Sequence, residues 1–243
     1  MKVEIYSDIA CPWCHVGKAR FERALAAFPG AGSVEVVYRP FQLDPSAPET
    51  PQPHRAVLAA KYGPQALAMD EKITRLGAAE GLTFDFDTVV ENNSLLAHRL
   101  LRFVLDTYGH AAQARLKGRL LDAHFGEGLD IGDRERLADA AVAVGLDREP
   151  VAAFLAGDDL VDEVTGEIDE ARRLGITAVP TFVFEGKWMV QGGQETSTFL
   201  RALEQVAKET ETVLEADADG GACADGACEV PSNDQVPSDD HAH

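Results

Sequence analysis

Cys11 and Cys14 enclose Pro12 and Trp13, and two cysteines at i and i+3 can form a disulfide or bind a metal. Zinc needs two further ligands at suitable spacing. No other cysteine precedes residue 223, and the histidines of the body form no matching pair, so thiol–disulfide exchange is the favoured chemistry. Cys11 falls at or just before a predicted helix N-terminus, where unpaired N–H groups and the helix dipole favour negative charge. In Cys-x-x-Cys motifs this position lowers a thiol from about 8.5 into a range of roughly 3.5–7.5. Pro12 suits the first helical position, where its missing N–H costs nothing. The expectation is therefore an exposed Cys11 thiolate as attacking group and a less exposed Cys14, one turn further in, as resolving thiol. His15, four residues after Cys11, can share its helix face and stabilise the thiolate when protonated, or it can simply be a surface residue of the first turn.

The elements that must hold this pair are legible on both sides. Lys2–Tyr6 alternates and is rich in β-formers, predicting a strand, and 11–28 carries helical spacing. Pro29–Gly32 is a turn and Val34–Tyr38 a second strand, giving a right-handed, parallel β-α-β unit. Asp44–Pro53 is proline-rich and reads as a connecting loop, either a plain connection or part of the rim around the active site. From about Pro53 to Leu174 the pattern is helical, over 64–80, 94–108, 110–125, 133–144, 149–156 and 159–174. Asn93 or Ser94 can cap one of these helices and Asp133 opens another. His98 and His124 lie on them, more plausibly as core residues than as direct chemical participants. Phe182–Phe184 and Lys187–Val190 flank Glu185-Gly186 as a hairpin, and a helix over 196–208 closes the fold.

A second motif, Gly175-Ile-Thr-Ala-Val-Pro180-Thr-Phe, follows the helix ending in Arg172-Arg173-Leu174. Gly175 is a reasonable C-terminal stop, and Pro180 opens the next strand, where proline is tolerated. From the residues alone the Val179–Pro180 bond could be cis or trans. Together, Cys11-Pro-Trp-Cys14 and this distant stretch resemble the thioredoxin superfamily, and the long gap between them resembles its DsbA branch. Ser7-Asp8-Ile-Ala-Cys-Pro-Trp-Cys-His-Val-Gly-Lys18 and Asn93-Ser-Leu-Leu-Ala-His-Arg99 are similar to the cytosolic FrnE-type members of that branch. The resemblance covers residues 1–208. It implies an α/β chain, a DsbA-like thioredoxin fold (residues 1–52 and 175–208) interrupted by an all-helical insertion (53–174), with an acidic extension (209–243). It also implies a cis Pro180 packed against the cysteine pair and a Val179 backbone that pairs with an extended substrate chain. Thr181, Pro12 and Trp13 then belong to the supporting and substrate-binding surface. Trp13 stands where secreted DsbA proteins usually carry histidine, so a strongly oxidising potential is not implied.

The net charge of −19 argues against nucleic acid as partner. No apolar run reaches the roughly 18 residues of a membrane span, and the N-terminus enters a strand without a secretory pattern, so a cytoplasmic, reducing location is expected. The body to residue 208 holds 31 acidic and 22 basic residues; residues 209–243 hold ten acidic residues and no Lys or Arg. That tail predicts disorder, yet it carries Cys223 and Cys228. These are readable as an auxiliary redox pair, as part of a soft-metal site with His241 or His243, or as incidental residues of a solubilising tail. The fifteen residues from 208 to 223 span roughly 20–23 Å as a flexible coil, enough to reach an active site.

The sequence thus predicts a cytosolic thiol–disulfide oxidoreductase, with isomerase activity within its range, acting on thiol- or disulfide-containing proteins, peptides or glutathione. The exchange itself needs no cofactor or metal. Two rivals remain: a glutathione-dependent transferase or isomerase of the kappa-class fold, which uses serine where Cys11 stands, and a non-catalytic chaperone or metal-binding module.

Overall fold

The computed structural model describes residues 1–219, with side chains described through residue 210. The elements run β1 (Lys2–Ser7), α1 (Pro12–Ala27), β2 (Glu35–Pro40), β3 (Gln52–Pro53), α2 (His54–Tyr62), α3 (Gln65–Ala79), β4 (Val90–Glu91), α4 (Leu95–Tyr108) and α5 (His110–Glu127). They continue with α6 (Arg134–Ala143), α7 (Arg148–Ala156), α8 (Val161–Arg173), β5 (Thr181–Phe184), β6 (Trp188–Gln191) and α9 (Thr196–Asp219). Met1–Ala207 forms one compact unit, and residues from Lys208 on fall outside it.

The main sheet has the order β2-β1-β5-β6. β1 pairs parallel with β2 and antiparallel with β5, so the strand leading into Cys11 is central, and its last three residues, 5–7, are buried. The parallel β1–α1–β2 unit matches the reading of the sequence. So does the hairpin: Glu185 and Gly186 both adopt positive φ, 50° and 65°, as a tight turn between twisted strands requires. On one side of the sheet Val3, Ile5, Phe182 and Phe184 pack with Phe21 of α1 and with Phe199 and Leu203 of α9. On the other, Tyr6, Cys11 and Cys14 pack with Phe41, Ala171, Ile176 and Val179. A third cluster, spread over α3–α7, takes in Ile9 and Val16, so the start of α1 is wedged between sheet and helices.

Three expectations need correction. The stretch 53–174 is not all helical: Gln52–Pro53 and Val90–Glu91 form a two-stranded antiparallel ladder, which also gives the expected connecting loop a paired end. Two-residue strands are too short to leave a periodic signal. An additional helix, α2, precedes the predicted 64–80 segment. Finally, α9 continues past Lys208 to Asp219, into residues that composition assigned to a disordered tail. The capping residues are as read: the Asn93 carboxamide oxygen accepts the Leu95 N–H (2.9 Å), and Asp133 accepts those of Glu135 and Arg136.

Candidate active site

Cys11 is the N-cap of α1, with extended backbone (φ −102°, ψ 111°), and Pro12 occupies the first helical position. The Cys14 N–H closes the first turn on the Cys11 carbonyl (3.0 Å), which sets the two sulfurs on the same turn. Both cysteines are free thiols. The Val179–Pro180 peptide is cis. The Cys11 Sγ lies 3.7 Å from the Val179 carbonyl oxygen, which brings the second motif against the first. Thr181 is fully buried, and its hydroxyl donates to the Ala178 carbonyl (2.7 Å); its observed contact braces the proline loop. α1 comes this close because residue 17 is glycine: a Cβ there would lie 2.8 Å from Pro180 Cγ and 3.3 Å from Gly193 Cα.

The electrostatics differ from the helix-terminus argument. Cys11 is 4% exposed and not freely presented to solvent; it opens instead onto a cavity of about 290 Å³ whose wall it shares with Pro12 and Trp13. The hydrogen bond with Cys14 pushes the Cys11 thiol up, and burial adds to this. Burial also acts to raise Cys14, but the hydrogen bond from Cys11, the Lys117 ammonium, the Ser7 side chain and the Asp8 backbone outweigh it and hold Cys14 below its ordinary value. Of the two thiols, Cys14 is therefore the one that ionises more readily. The interaction between the two sulfurs, together with burial, outweighs the N-terminal position at Cys11, and Lys117 and Ser7 add to the lowering of Cys14.

His15 also departs from expectation. It is buried, its Nε2 bonds Asp122 on α5 (2.9 Å), and its ring packs on Phe84 and Phe125. It anchors α1 to α5 through Asp122, so it is no surface residue of the first turn.

The residues that surround the pair include three that sequence reasoning did not assign to it. Asp8, buried at the end of β1, accepts the N–H of Leu43 (2.8 Å) and a hydrogen bond from His98 Nε2 (3.2 Å) on α4. Since Asp8 lies below the usual carboxylate range despite its burial, it is an acceptor, and Nε2 carries the proton. Burial pushes His98 down, so the imidazole is neutral at pH 7. Lys117, 1% exposed on α5, is pulled from 10.5 to about 8 by burial, against the attraction of Cys14, Asp8 and Cys11. Its sequence signal was present: a lysine inside the apolar stripe Ala112, Leu116, Leu120, Leu121. His124, by contrast, is a core residue whose Nδ1–H donates to the Leu129 carbonyl (3.0 Å). Cys223 and Cys228 lie outside the described residues.

No helix among the described residues is long and apolar enough to cross a membrane. Residues 2–204 match the DSBA-like thioredoxin domain. Among solved structures, the chain is similar to a probable DsbA oxidoreductase, SCO1869, from Streptomyces coelicolor. Identity is 42%, the TM-score is 0.79, and the match covers 86% of this chain and 91% of that one. It is similar in fold to the cytosolic disulfide reductase DsbM from Pseudomonas aeruginosa, with 20% identity, TM-score 0.57, and 89% and 100% of the chains covered. The uncharacterised protein YwbO of Bacillus subtilis is 29% identical over 213 residues, 85% of this chain and 97% of that protein.

Proposed function

The chain belongs to the family of DSBA-like thioredoxin domains, and on that premise we propose that it is a cytoplasmic thiol–disulfide oxidoreductase working through Cys11 and Cys14. The observation that carries the assignment of roles is that Cys11, and not Cys14, lines the cavity. A disulfide brought there meets Cys11 first.

The two thiols are linked by a hydrogen bond, and Cys14 ionises more readily than Cys11. Transfer of the Cys11 proton to Cys14 produces the Cys11 thiolate. That thiolate attacks one sulfur of the substrate disulfide, forming the Cys11–substrate bond and breaking the substrate S–S bond; the departing thiolate takes up a proton. The proton that the departing thiolate takes up is the one Cys14 received, and the Cys14 thiolate so restored attacks the Cys11 sulfur. The mixed disulfide breaks, the second substrate thiol leaves, and Cys11–Cys14 becomes a disulfide. The substrate gains two electrons and the enzyme loses two. Run backwards, the same steps oxidise a dithiol; attack without resolution by Cys14 rearranges disulfides. Lys117 supports the thiolate on Cys14, and the Asp8–His98 pair fixes the strand end before Cys11. In this reading Val179 beside cis Pro180 positions the substrate chain, and Cys223 and Cys228 form an auxiliary pair that exchanges with Cys11.

Reduction of insulin by dithiothreitol tests the proposal. The wild-type chain should accelerate it, and Cys11→Ser should abolish the acceleration. Activity that survives Cys11→Ser would sink the assignment and favour the glutathione-dependent transferase chemistry.

A further inference from the structure

We infer that the cavity beside Cys11 selects polypeptide disulfides carrying a bulky uncharged side chain next to the reacting half-cystine, and disfavours glutathione. This rests on the reading of Cys11 as the attacking thiol. The cavity is continuous with that sulfur, so whatever fills it must be attached close to the scissile bond. Its volume, about 290 Å³, lies at the small end of ligand pockets, which run from roughly 300 to 1,000 Å³. That is space for a side chain and its backbone. The walls are mainly apolar: Leu43, Val57, Leu58, Tyr62, Met69 and Ile73. Leu43, Tyr62 and Met69 are 50%, 42% and 43% exposed, so an apolar occupant would remove substantial oily surface from water.

The charges in the wall point the same way. Asp8, Asp44, Asp70 and Glu91 contribute carboxylates, and the cationic groups are His54 and Lys61. His54 is already committed: Nδ1 bonds Glu91 (2.5 Å) and Nε2 bonds Asp70 (3.0 Å), so neither ring nitrogen is available to an incoming anion. Lys61 sits 5.6 Å over the Tyr62 ring, by itself among several carboxylates. Each half of oxidised glutathione carries two carboxylates and one ammonium, which such a wall repels on balance. A neutral peptide does not meet that barrier.

Competition among small disulfides tests this. The full-length Cys14→Ser variant, with Cys223 and Cys228 also replaced by serine, is mixed with disulfide-linked peptides that place Phe, Ala or Glu beside the cysteine, with oxidised glutathione, and with neutral hydroxyethyl disulfide. Acid quenching and mass spectrometry then read the rate of adduct formation mapped to Cys11. The Phe peptide should react about tenfold or more faster than the Ala peptide, the range expected for filling an apolar pocket. The Glu peptide and glutathione should be slower than Ala, and closer to it at high salt. Leu58→Lys should erase the Phe preference and speed glutathione. Equal rates for the three peptides, or glutathione as fast as the Phe peptide, overturn the inference while leaving Cys11 as the attacking thiol. If even hydroxyethyl disulfide leaves Cys11 unmodified, the exchange reading fails and this one fails with it.

Discussion

Replacing Lys117 with methionine isolates what a buried cation does for the cysteine pair. Burial brings this ammonium from 10.5 to about 8, so at pH 7 it is still mostly charged. A shift of that size corresponds to about 3 kcal/mol of disfavoured charge. Methionine, of similar length, removes that cost, and the variant should fold. With the cost goes the attraction that helps hold Cys14 below its ordinary value. Two unit charges 4 Å apart attract by about 4 kcal/mol at an effective dielectric constant of 20, and by about half that at twice the distance. At about 1.4 kcal/mol per pKa unit, Cys14 should rise by about one to three units. Ultraviolet absorbance of the thiolate, followed against pH in the reduced chain with Cys223 and Cys228 replaced by serine, reads this directly. Below about pH 8 the wild type carries the ammonium and the variant does not, so the thiolate population should differ by about tenfold or more. Above that pH the wild type loses its charge as well, and the two titrations should converge. A thiolate curve that does not move in Lys117→Met, or a gap that persists undiminished well above pH 8, refutes the electrostatic account of the pair.

Burial acts to lower His54, but hydrogen bonds with Glu91 and Asp70 win and hold it above its ordinary value. The stability this confers is fully present below about pH 6.5 and is lost as pH rises through the elevated folded value; His54→Leu should cost about 2 kcal/mol in urea unfolding at low pH and progressively less at high pH. Gly17→Ala gains about 1 kcal/mol of helix propensity but drives a methyl into Pro180 and Gly193. Overpacking of about 1–3 kcal/mol should prevail, seen as lowered stability and slower insulin reduction. In the Cys14→Ser variant with the tail pair oxidised, Cys11 should attack the Cys223–Cys228 disulfide, bonding to one tail sulfur and releasing the other as a thiol, and without a resolving thiol this product should accumulate in mass spectra; its absence removes the auxiliary role of the tail pair.

What the sequence disclosed was what neighbours along the chain decide. Proline after an N-cap cysteine, Gly175 at φ 84° after Arg172-Arg173, and Glu185-Gly186 between two apolar runs are each determined within a few residues. What it withheld was set by contacts across the chain. Asp8, His98 and Lys117 come from β1, α4 and α5, and only the packed core brings them to one place. Lys117 did leave a trace, a charge in an apolar stripe, but nothing local says which buried group it faces. The same distinction enters the inversion at the cysteines. Position at a helix N-terminus favours the first thiolate, and it is a real effect worth about 0.3–1 kcal/mol, up to ~2 kcal/mol when partly buried. The hydrogen bond from Cys11, a buried ammonium and the Ser7 side chain act on the second sulfur where water does not screen them. The thiol that ionises more readily is thus the shielded one, and the thiol that meets substrate holds its proton more tightly. Attack then requires Cys11 to give up a proton, and the groups that lower Cys14 also set how readily Cys14 takes it.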